Sequence, residues 1–301
     1  MNLLEVDGLI KRFGTSAAVD GLSFGISQGR CTALLGPNGA GKTTTLKMLS
    51  GLLEPSSGTI RLIDGARTDI RESIGYLPQY PAFFNWMSGK EFLAFSAKLA
   101  RMSAKEAANR ADELLERVGL KAGAKRKIGG YSGGMKQRLG LAQAVIHRPK
   151  LLILDEPVSA LDPQGRREVM ELLTEMKRET TVLFSTHVLH DAEEISDDVI
   201  IMDRGRIVVE GDLRQLMRNH QKPQIRIKAS NTHIERVQGL RDRPFVQTFE
   251  STTDGIKLQV TDLPEARRSL LREIADSGIE IESFEVGHTS LEDLFMKAVQ
   301  A

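Results

Sequence analysis

Residues 36–44, GPNGAGKTT, constrain the fold of this chain more than any other segment. They match the pattern G-x-x-x-x-G-K-[ST], and they lie between the apolar segment CTALLG and a segment with helical character. In that context the glycines let backbone N–H groups close around a phosphate, and the lysine adds a positive charge. We therefore predict a nucleotide-phosphate site between a strand and a helix, formed by Gly36, Pro37, Asn38, Gly39, Ala40, Gly41, Lys42, Thr43 and Thr44.

A pair of acids at the end of an apolar run is the second chemical signature. Residues 151–154, LLIL, precede Asp155, Glu156 and a proline. Acidic side chains are rarely left inside a protein without a partner, so two acids that end a buried strand indicate a metal or catalytic site. We predict that Asp155 binds Mg²⁺, directly or through water, together with the hydroxyl of Thr43. We predict that Glu156 orients and deprotonates an attacking water.

Apolar segments alternate with helical ones in the first two thirds of the chain. CTALLG, LLILD and TVLFS are such segments, and this alternation is typical of a parallel α/β sheet. Residues 88–119 are predicted to be helical, because Ser88 with Glu91 and Ser103 with Glu106 both fit the capping box that starts helices. An apolar stripe at helical spacing in this region is expected in the core: Ala111, Leu114, Leu115 and Val118.

The character of the sequence changes near residues 219–223. Before this point, residues 199–211 are predicted to form a hairpin that closes the first domain. Beyond it, the strand-like segments QIRIKA, FVQTFES, GIKLQV and IEIESFEV alternate with predicted helices at residues 231–239, 263–277 and 290–299. We therefore predict two domains, at residues 1–217 and 218–301.

Composition excludes several classes of protein. The 41 Lys and Arg residues nearly balance the 40 Asp and Glu residues, so charge gives no sign of a nucleic-acid partner. The single cysteine, Cys31, cannot form an internal disulfide and is expected to be a buried, inert thiol. The N-terminus has no signal-peptide pattern, and no apolar run approaches the roughly 20 residues that span a bilayer. We expect a cytosolic chain whose membrane anchor, if it works at a membrane, comes from another protein.

Residues 131–140, YSGGMKQRLG, predict a second helix end that attracts anions. Ser132 is placed to cap this helix, and the two following glycines leave backbone N–H groups bare. One phosphate loop is already present in residues 36–44, so a second phosphate-seeking helix end needs a separate explanation.

The segments GPNGAGKTT, YSGGMKQR, LLILDEP and STH, in this order, resemble the nucleotide-binding subunit of an ATP-binding cassette (ABC) transporter. The resemblance covers residues 1 to about 217, although Tyr131 and Met135 differ from the family's commonest residues. It implies an α/β P-loop NTPase domain with a helical signature subdomain at about residues 88–147. It also implies two subunits that face head to tail, so that Ser132, Gly133 and Gly134 of one chain close on the γ-phosphate of ATP held by the other.

The same resemblance implies roles for four further positions. Gln79 contacts Mg²⁺ and the water and senses the transporter, and His187 contacts the γ-phosphate. Asp162 ends the loop SALD, residues 159–162, which links the two sites across the dimer. Phe13 stacks on adenine in this interpretation, and core packing is the alternative for its ring.

The membrane partner is also implied by the resemblance. The aromatic segment at residues 80–89, YPAFFNWMSG, receives a short cytoplasmic helix of a transmembrane permease, or else fills the core. Residues 218–301 resemble the appendage of bacterial drug- and polysaccharide-export ATPases, which dimerises or regulates; a packing module without a ligand is the alternative. These features together predict an ATPase that uses ATP and Mg²⁺, pairs with a second subunit, most simply its own copy, and powers export from the inner face of the cell membrane.

Two functions from other classes remain as alternatives. An ABC protein that acts on ribosomes or DNA usually carries two cassettes or a long coiled coil, and the sequence shows neither. A nucleotide sensor that does not hydrolyse ATP would not need Glu156 or His187, and an ATPase assay separates it from a transporter subunit.

Overall fold

The computed structural model describes residues 1–63, 69–159, 161–220, 222–229, 233–288 and 290–300. The chain divides into two compact units, Met1–Leu213 and Arg214–Ala301. No helix within these described ranges is both long and apolar enough to cross a membrane.

The first unit contains nine of the described strands and most of the helices. Its strands are β1 (Asn2–Phe13), β2 (Ser16–Ser27), β3 (Cys31–Leu35), β4 (Ser57–Leu62), β5 (Ile74–Leu77), β6 (Leu151–Asp155), β7 (Thr181–Thr186), β8 (Asp198–Asp203) and β9 (Arg206–Asp212). Its helices are α1 (Lys42–Leu49), α2 (Gly89–Leu99), α3 (Ala104–Arg117), α4 (Gly133–Ala144), α5 (Pro163–Met176) and α6 (Leu189–Ile195). Helix α7 (Leu213–His220) contains the division between the units, and the predicted boundary at 217 and 218 also lies within it. Short 3-10 turns lie at Ile70–Ser73, Lys121–Gly123 and Ile128–Gly130.

The main sheet has the order β5-β6-β7-β3-β8-β9. Its neighbouring strands are parallel, except for the antiparallel pair β8 and β9. Every residue of β3, β6 and β7 is buried, as expected for parallel strands that are covered on both faces. The predicted parallel α/β sheet and the hairpin at 199–211 are therefore confirmed.

A second sheet of the first unit is antiparallel, with the order β2-β1-β4. The sequence did not separate these strands from the parallel sheet. Only two residues, Gly14 and Thr15, connect β1 to β2, and such a short connection can join only antiparallel neighbours. Gly14 has a φ of 59°, which a glycine adopts readily in a hairpin turn.

The predicted helical region at 88–119 consists of α2 and α3. Ser88 with Glu91 and Ser103 with Glu106 form complete capping boxes, as predicted. The chain reverses between the two helices at Arg101, whose φ is 65°. The predicted apolar stripe is buried along α3 and at Val118, which follows the helix.

The second unit is a four-stranded antiparallel sheet with the order β11-β12-β10-β13. The strands are β10 (Pro223–Ala229), β11 (Val246–Thr252), β12 (Gly255–Val260) and β13 (Ile281–His288). The helices are α8 (Ile234–Gln238), α9 (Leu263–Ser277) and α10 (Leu291–Gln300), with a 3-10 turn at Gly239–Asp242. The order strand, helix, strand, strand, helix, strand is that of the split βαβ motif. The predicted helix at 263–277 is confirmed, whereas residues 231 and 232 of the predicted helix at 231–239 lie outside the described residues.

Cys31 lies in β3 with 1% of its surface exposed, and burial raises the pKa of its thiol to about 12. Because the thiolate is the reactive form, we predict that the folded protein does not react with a thiol reagent such as DTNB at pH 8 within an hour-scale assay. One thiol per chain should react in guanidinium chloride. Rapid labelling of the folded chain would contradict the burial of this strand.

Candidate functional site

The phosphate loop lies between β3 and α1. The local structure requires glycine at two of its positions. Gly41 precedes α1 with a φ of 102°, a conformation that residues with a side chain rarely adopt. A Cβ atom at Gly41 would overlap the carbonyl oxygen of Ala18, and one at Gly36 would overlap that of Met202. Glycine is therefore required at both positions for the loop to close.

The first turn of α1 and the side chain of Lys42 give the loop its positive character. No side chain caps α1, so the N–H groups of its first turn remain available to an anion. Lys42 is buried, and its Nζ donates to the carbonyl oxygens of Gly36 and Pro37 at 2.7 and 3.1 Å. Burial lowers the pKa of Lys42, and the nearby carboxylates of Asp155 and Glu156 oppose that change. A bound phosphate would therefore stabilise the buried positive charge of Lys42.

Asp155 ends β6 with 1% of its surface exposed, and two hydroxyls satisfy one of its oxygens. Thr43 Oγ1 lies 3.1 Å and Ser185 Oγ lies 2.7 Å from Asp155 Oδ1. Adjacent ligands in an octahedral Mg²⁺ site are about 3 Å apart, since each bond is about 2.1 Å long. The spacing of Thr43 and Asp155, and their hard oxygen atoms, therefore fit a Mg²⁺ ion.

The carboxylate of Glu156 contacts two other predicted site residues. Its Oε2 accepts a hydrogen bond from Gln79 Nε2 at 3.0 Å, and its Oε1 lies 3.2 Å from His187 Nδ1. The backbone of Glu156 is left-handed, with a φ of 46°, and its N–H donates to Ser185 Oγ at 2.9 Å. The structure therefore brings Gln79, Glu156 and His187 together beside the phosphate loop.

A buried carboxylate, that of Asp191, supports the turn that carries His187. Val188 N–H donates to Thr186 Oγ1 at 3.0 Å, and Thr186 Oγ1 lies 3.4 Å from the buried carboxylate of Asp191. Arg166 of α5 forms an ion pair with the same carboxylate. Sequence reasoning missed Arg166 and Asp191, although an acid on the apolar face of α6, beside Ala192 and Ile195, was a detectable signal.

The signature segment lies at the start of α4. Ser132 caps the helix, as predicted, because its Oγ accepts a hydrogen bond from Met135 N–H at 3.2 Å. Ser132 and Gly133 are exposed, and no described hydrogen bond joins them to the cluster. Tyr131 is buried where the family usually has leucine, and its hydroxyl donates to the Gly123 carbonyl at 2.8 Å. This substitution therefore leaves the helix start intact.

Two other predicted site residues also lie outside the cluster. Asp162 caps α5 by accepting a hydrogen bond from Gly165 N–H at 2.7 Å. Ala160, in the predicted loop 159–162, lies outside the described residues. Phe13 ends β1 with 55% of its surface exposed, and Lys11 Nζ lies 5.4 Å from the ring centroid. Core packing, the alternative for Phe13, is therefore wrong.

Comparison with solved structures shows the same architecture. The dimeric structure of the ABC transporter cassette MJ0796 matches with a TM-score of 0.64 and 26% identity, over 70% of this chain and 99% of that one. CbiO1 from Clostridium perfringens, part of the ABC transporter complex cbiONQ, matches with a TM-score of 0.63 and 29% identity. That match covers 80% of this chain and 99% of cbiO1.

Comparison with protein families and curated relatives covers both units. The family model for the ABC transporter matches residues 19–159, and that for the C-terminal domain of DrrA1-3-like ATP-binding proteins matches residues 211–299. The ABC transporter ATP-binding protein YxlF of Bacillus subtilis is 47% identical, over 99% of this chain and 100% of its own length. The bacitracin transport ATP-binding protein BcrA of Bacillus licheniformis is 33% identical, over 99% of this chain and 97% of its own length. The chain belongs to the ATP-binding proteins of ABC transporters.

Proposed function

We propose that two copies of this ATPase subunit face each other head to tail around two Mg·ATP molecules and drive a separate export permease. One observation carries the proposal: the groups for water attack lie together at the phosphate loop, whereas the described hydrogen bonds of Ser132, at the start of α4, stay within its own helix. Export is supported by relatives named for bacitracin transport and for daunorubicin resistance, the latter 34% identical to this chain.

The phosphate loop and Lys42 bind the β- and γ-phosphates in this proposal, and Phe13 offers its exposed ring face to adenine. Thr43 and Asp155 hold Mg²⁺, with Gln79 beside them. When bound, Mg²⁺ neutralises phosphate charge and fixes the position of the γ-phosphate. These groups perform the positioning and charge stabilisation on which phosphoryl transfer mainly depends.

Glu156 is the general base of the proposed reaction. It accepts a proton from water as the water oxygen bonds to the γ-phosphorus, and the bond from that phosphorus to the ADP oxygen breaks. Gln79 and His187 each contact one carboxylate oxygen of Glu156, so they fix the direction in which the base faces. His187 also lies on the exposed side of the pair, where it can reach the γ-phosphate.

The second copy completes each site. The exposed N-terminus of α4 carries Ser132, Gly133 and Gly134, whose free N–H groups suit the γ-phosphate of ATP bound to the partner. Asp162 of the loop before α5 reaches across the same dimer. Support comes from the cassette MJ0796, which forms a dimer and shares this fold. Binding of ATP closes the pair, and hydrolysis opens it.

The aromatic segment after Gln79 supplies the proposed contact with the permease. Tyr80 and Trp86 expose 76% and 70% of their surface, and Phe84 exposes 48%. Phe83 packs edge-on against the buried ring of Phe92, with centroids 5.2 Å apart, and Phe84 packs edge-on against the same ring at 6.4 Å. Several exposed aromatic side chains within one short segment are typical of a protein interface. We propose that a cytoplasmic helix of the permease binds there. This contact would hold the subunit at the inner face of the cell membrane.

The C-terminal residues 218–301 form an accessory α/β domain in this proposal. Their match to the C-terminal domain of DrrA1-3-like proteins supports a role shared by that group. The groups described at the phosphate loop belong to the first unit, and we assign this domain to dimerisation or regulation.

Glu156→Gln should keep ATP binding and lower turnover by about 10²–10⁴-fold, because the amide cannot accept the proton from water. Turnover is measured by phosphate release and binding with a fluorescent ATP analogue. Glu116→Gln is the matched control, since the side chain of Glu116 forms a surface ion pair with Lys121. Equal turnover of wild type and Glu156→Gln would remove Glu156 from the mechanism.

Gly133→Asp should prevent ATP-dependent dimerisation, because it places a carboxylate where the partner's γ-phosphate binds. Nothing lies within 4 Å of a Cβ at Gly133, so the variant should fold normally. Sedimentation with ATP in the Glu156→Gln background, which preserves bound ATP, measures the dimer. Gly239→Asp is the control, since Gly239 is also exposed with an open Cβ position. Undiminished dimerisation of the Gly133 variant would count against the head-to-tail arrangement.

A further inference from the structure

Ser185 of β7 contacts both acids of the proposed catalytic site through one hydroxyl. Its Oγ donates to Asp155 Oδ1 at 2.7 Å and accepts the N–H of Glu156 at 2.9 Å. A hydroxyl has one donor hydrogen and two acceptor lone pairs, so both bonds can exist at once. Ser185 is fully buried, so neither bond competes with solvent.

The bond to Glu156 holds a strained backbone. Glu156 is one of the described non-glycine residues with a positive φ, at 46°. Such a conformation persists only where surrounding contacts fix it, and it often marks a functional site. The N–H of Glu156 would lose its partner if the Ser185 hydroxyl were absent, and the backbone could then relax. A change in backbone direction at this residue moves the carboxylate.

A buried hydroxyl on the adjacent strand provides a comparison for Ser185. Thr32 of β3 is as buried as Ser185, and in the described part of the chain its Oγ1 has no hydrogen-bond partner. Burial in this sheet therefore does not by itself bring a hydroxyl into contact with the acids. The difference makes Thr32 a matched control for the loss of a buried hydroxyl.

We propose that Ser185 is a positioning residue that sets the direction of Glu156 and the orientation of the metal-binding carboxylate of Asp155. This inference rests on the proposed function, since it assigns Glu156 as the base and Asp155 as a Mg²⁺ ligand. Ser185 acts through its two bonds, one to each acid.

Ser185→Ala should lower kcat by about 10–100-fold, the usual effect of removing a hydrogen bond that orients a metal ligand or a reacting group. The KM for ATP should change less than about threefold, because the groups that bind phosphate are intact. Metal affinity is measured without turnover, by electron paramagnetic resonance titration of Mn²⁺ in the presence of AMP-PNP. That affinity should fall about tenfold.

Three further variants separate the loss of the Ser185 hydrogen bonds from a general loss of stability. In Ser185→Cys the side chain has nearly the same shape but is a weak hydrogen-bond donor, so its kcat should also fall. This variant provides the test if the alanine variant is unstable. Ser185→Thr keeps the hydroxyl and should recover most of the activity. Thr32→Val should leave kcat within about twofold of wild type, because its hydroxyl bonds to nothing in the described structure.

Wild-type kcat and Mn²⁺ affinity in both Ser185→Ala and Ser185→Cys would overturn the proposal. An equal loss of kcat in Thr32→Val would also overturn it, because the effect would then belong to any buried hydroxyl of the sheet. Glu156→Gln in the same assay separates this inference from the proposed function. If Glu156→Gln loses turnover and the Ser185 variants do not, only the role of Ser185 is wrong; if Glu156→Gln keeps turnover, the proposed function is wrong.

Discussion

The site depends on one buried charge, the carboxylate of Asp155, which the structure must satisfy at the end of strand β6. A buried carboxylate is costly unless hydrogen bonds or a cation compensate it. The compensation here comes from Thr43 at the start of α1 and from Ser185 in β7. The same carboxylate therefore connects the phosphate loop to the neighbouring strand, and it places the oxygens that fit Mg²⁺ beside that loop.

Strand order explains why these groups meet. Strands β6, β7 and β3 are parallel neighbours, so their carboxyl ends lie along one edge of the sheet. The phosphate loop follows β3, the two acids end or follow β6, and His187 follows β7. The left-handed backbone of Glu156 then directs its carboxylate to both Gln79 and His187. Ser132 of the signature helix shares no described hydrogen bond with this cluster, and in the proposed dimer the second copy supplies that helix start to each site.

Motifs with a strong local pattern could be predicted from the sequence, and long-range polar contacts could not. The parallel sheet, the caps at Ser88 and Ser103, and the buried stripe of α3 followed from spacing alone. The antiparallel pairing of β1 and β2 was not predicted, because strand-like segments do not reveal their partners. Ser185 was not predicted either, since a serine in a buried strand has no periodic signal and its two bonds join residues 29 and 30 positions away.

The central claim is that neither ATP site is complete within one chain. The most direct measurement is ATP turnover per chain over about a hundredfold range of protein concentration, at saturating ATP and Mg²⁺, because association of two copies obeys mass action. The account predicts that turnover per chain falls as dilution separates the subunits, and that it recovers when the sample is concentrated again. Turnover per chain that stays constant across the whole range, with sedimentation showing a monomer, would contradict it.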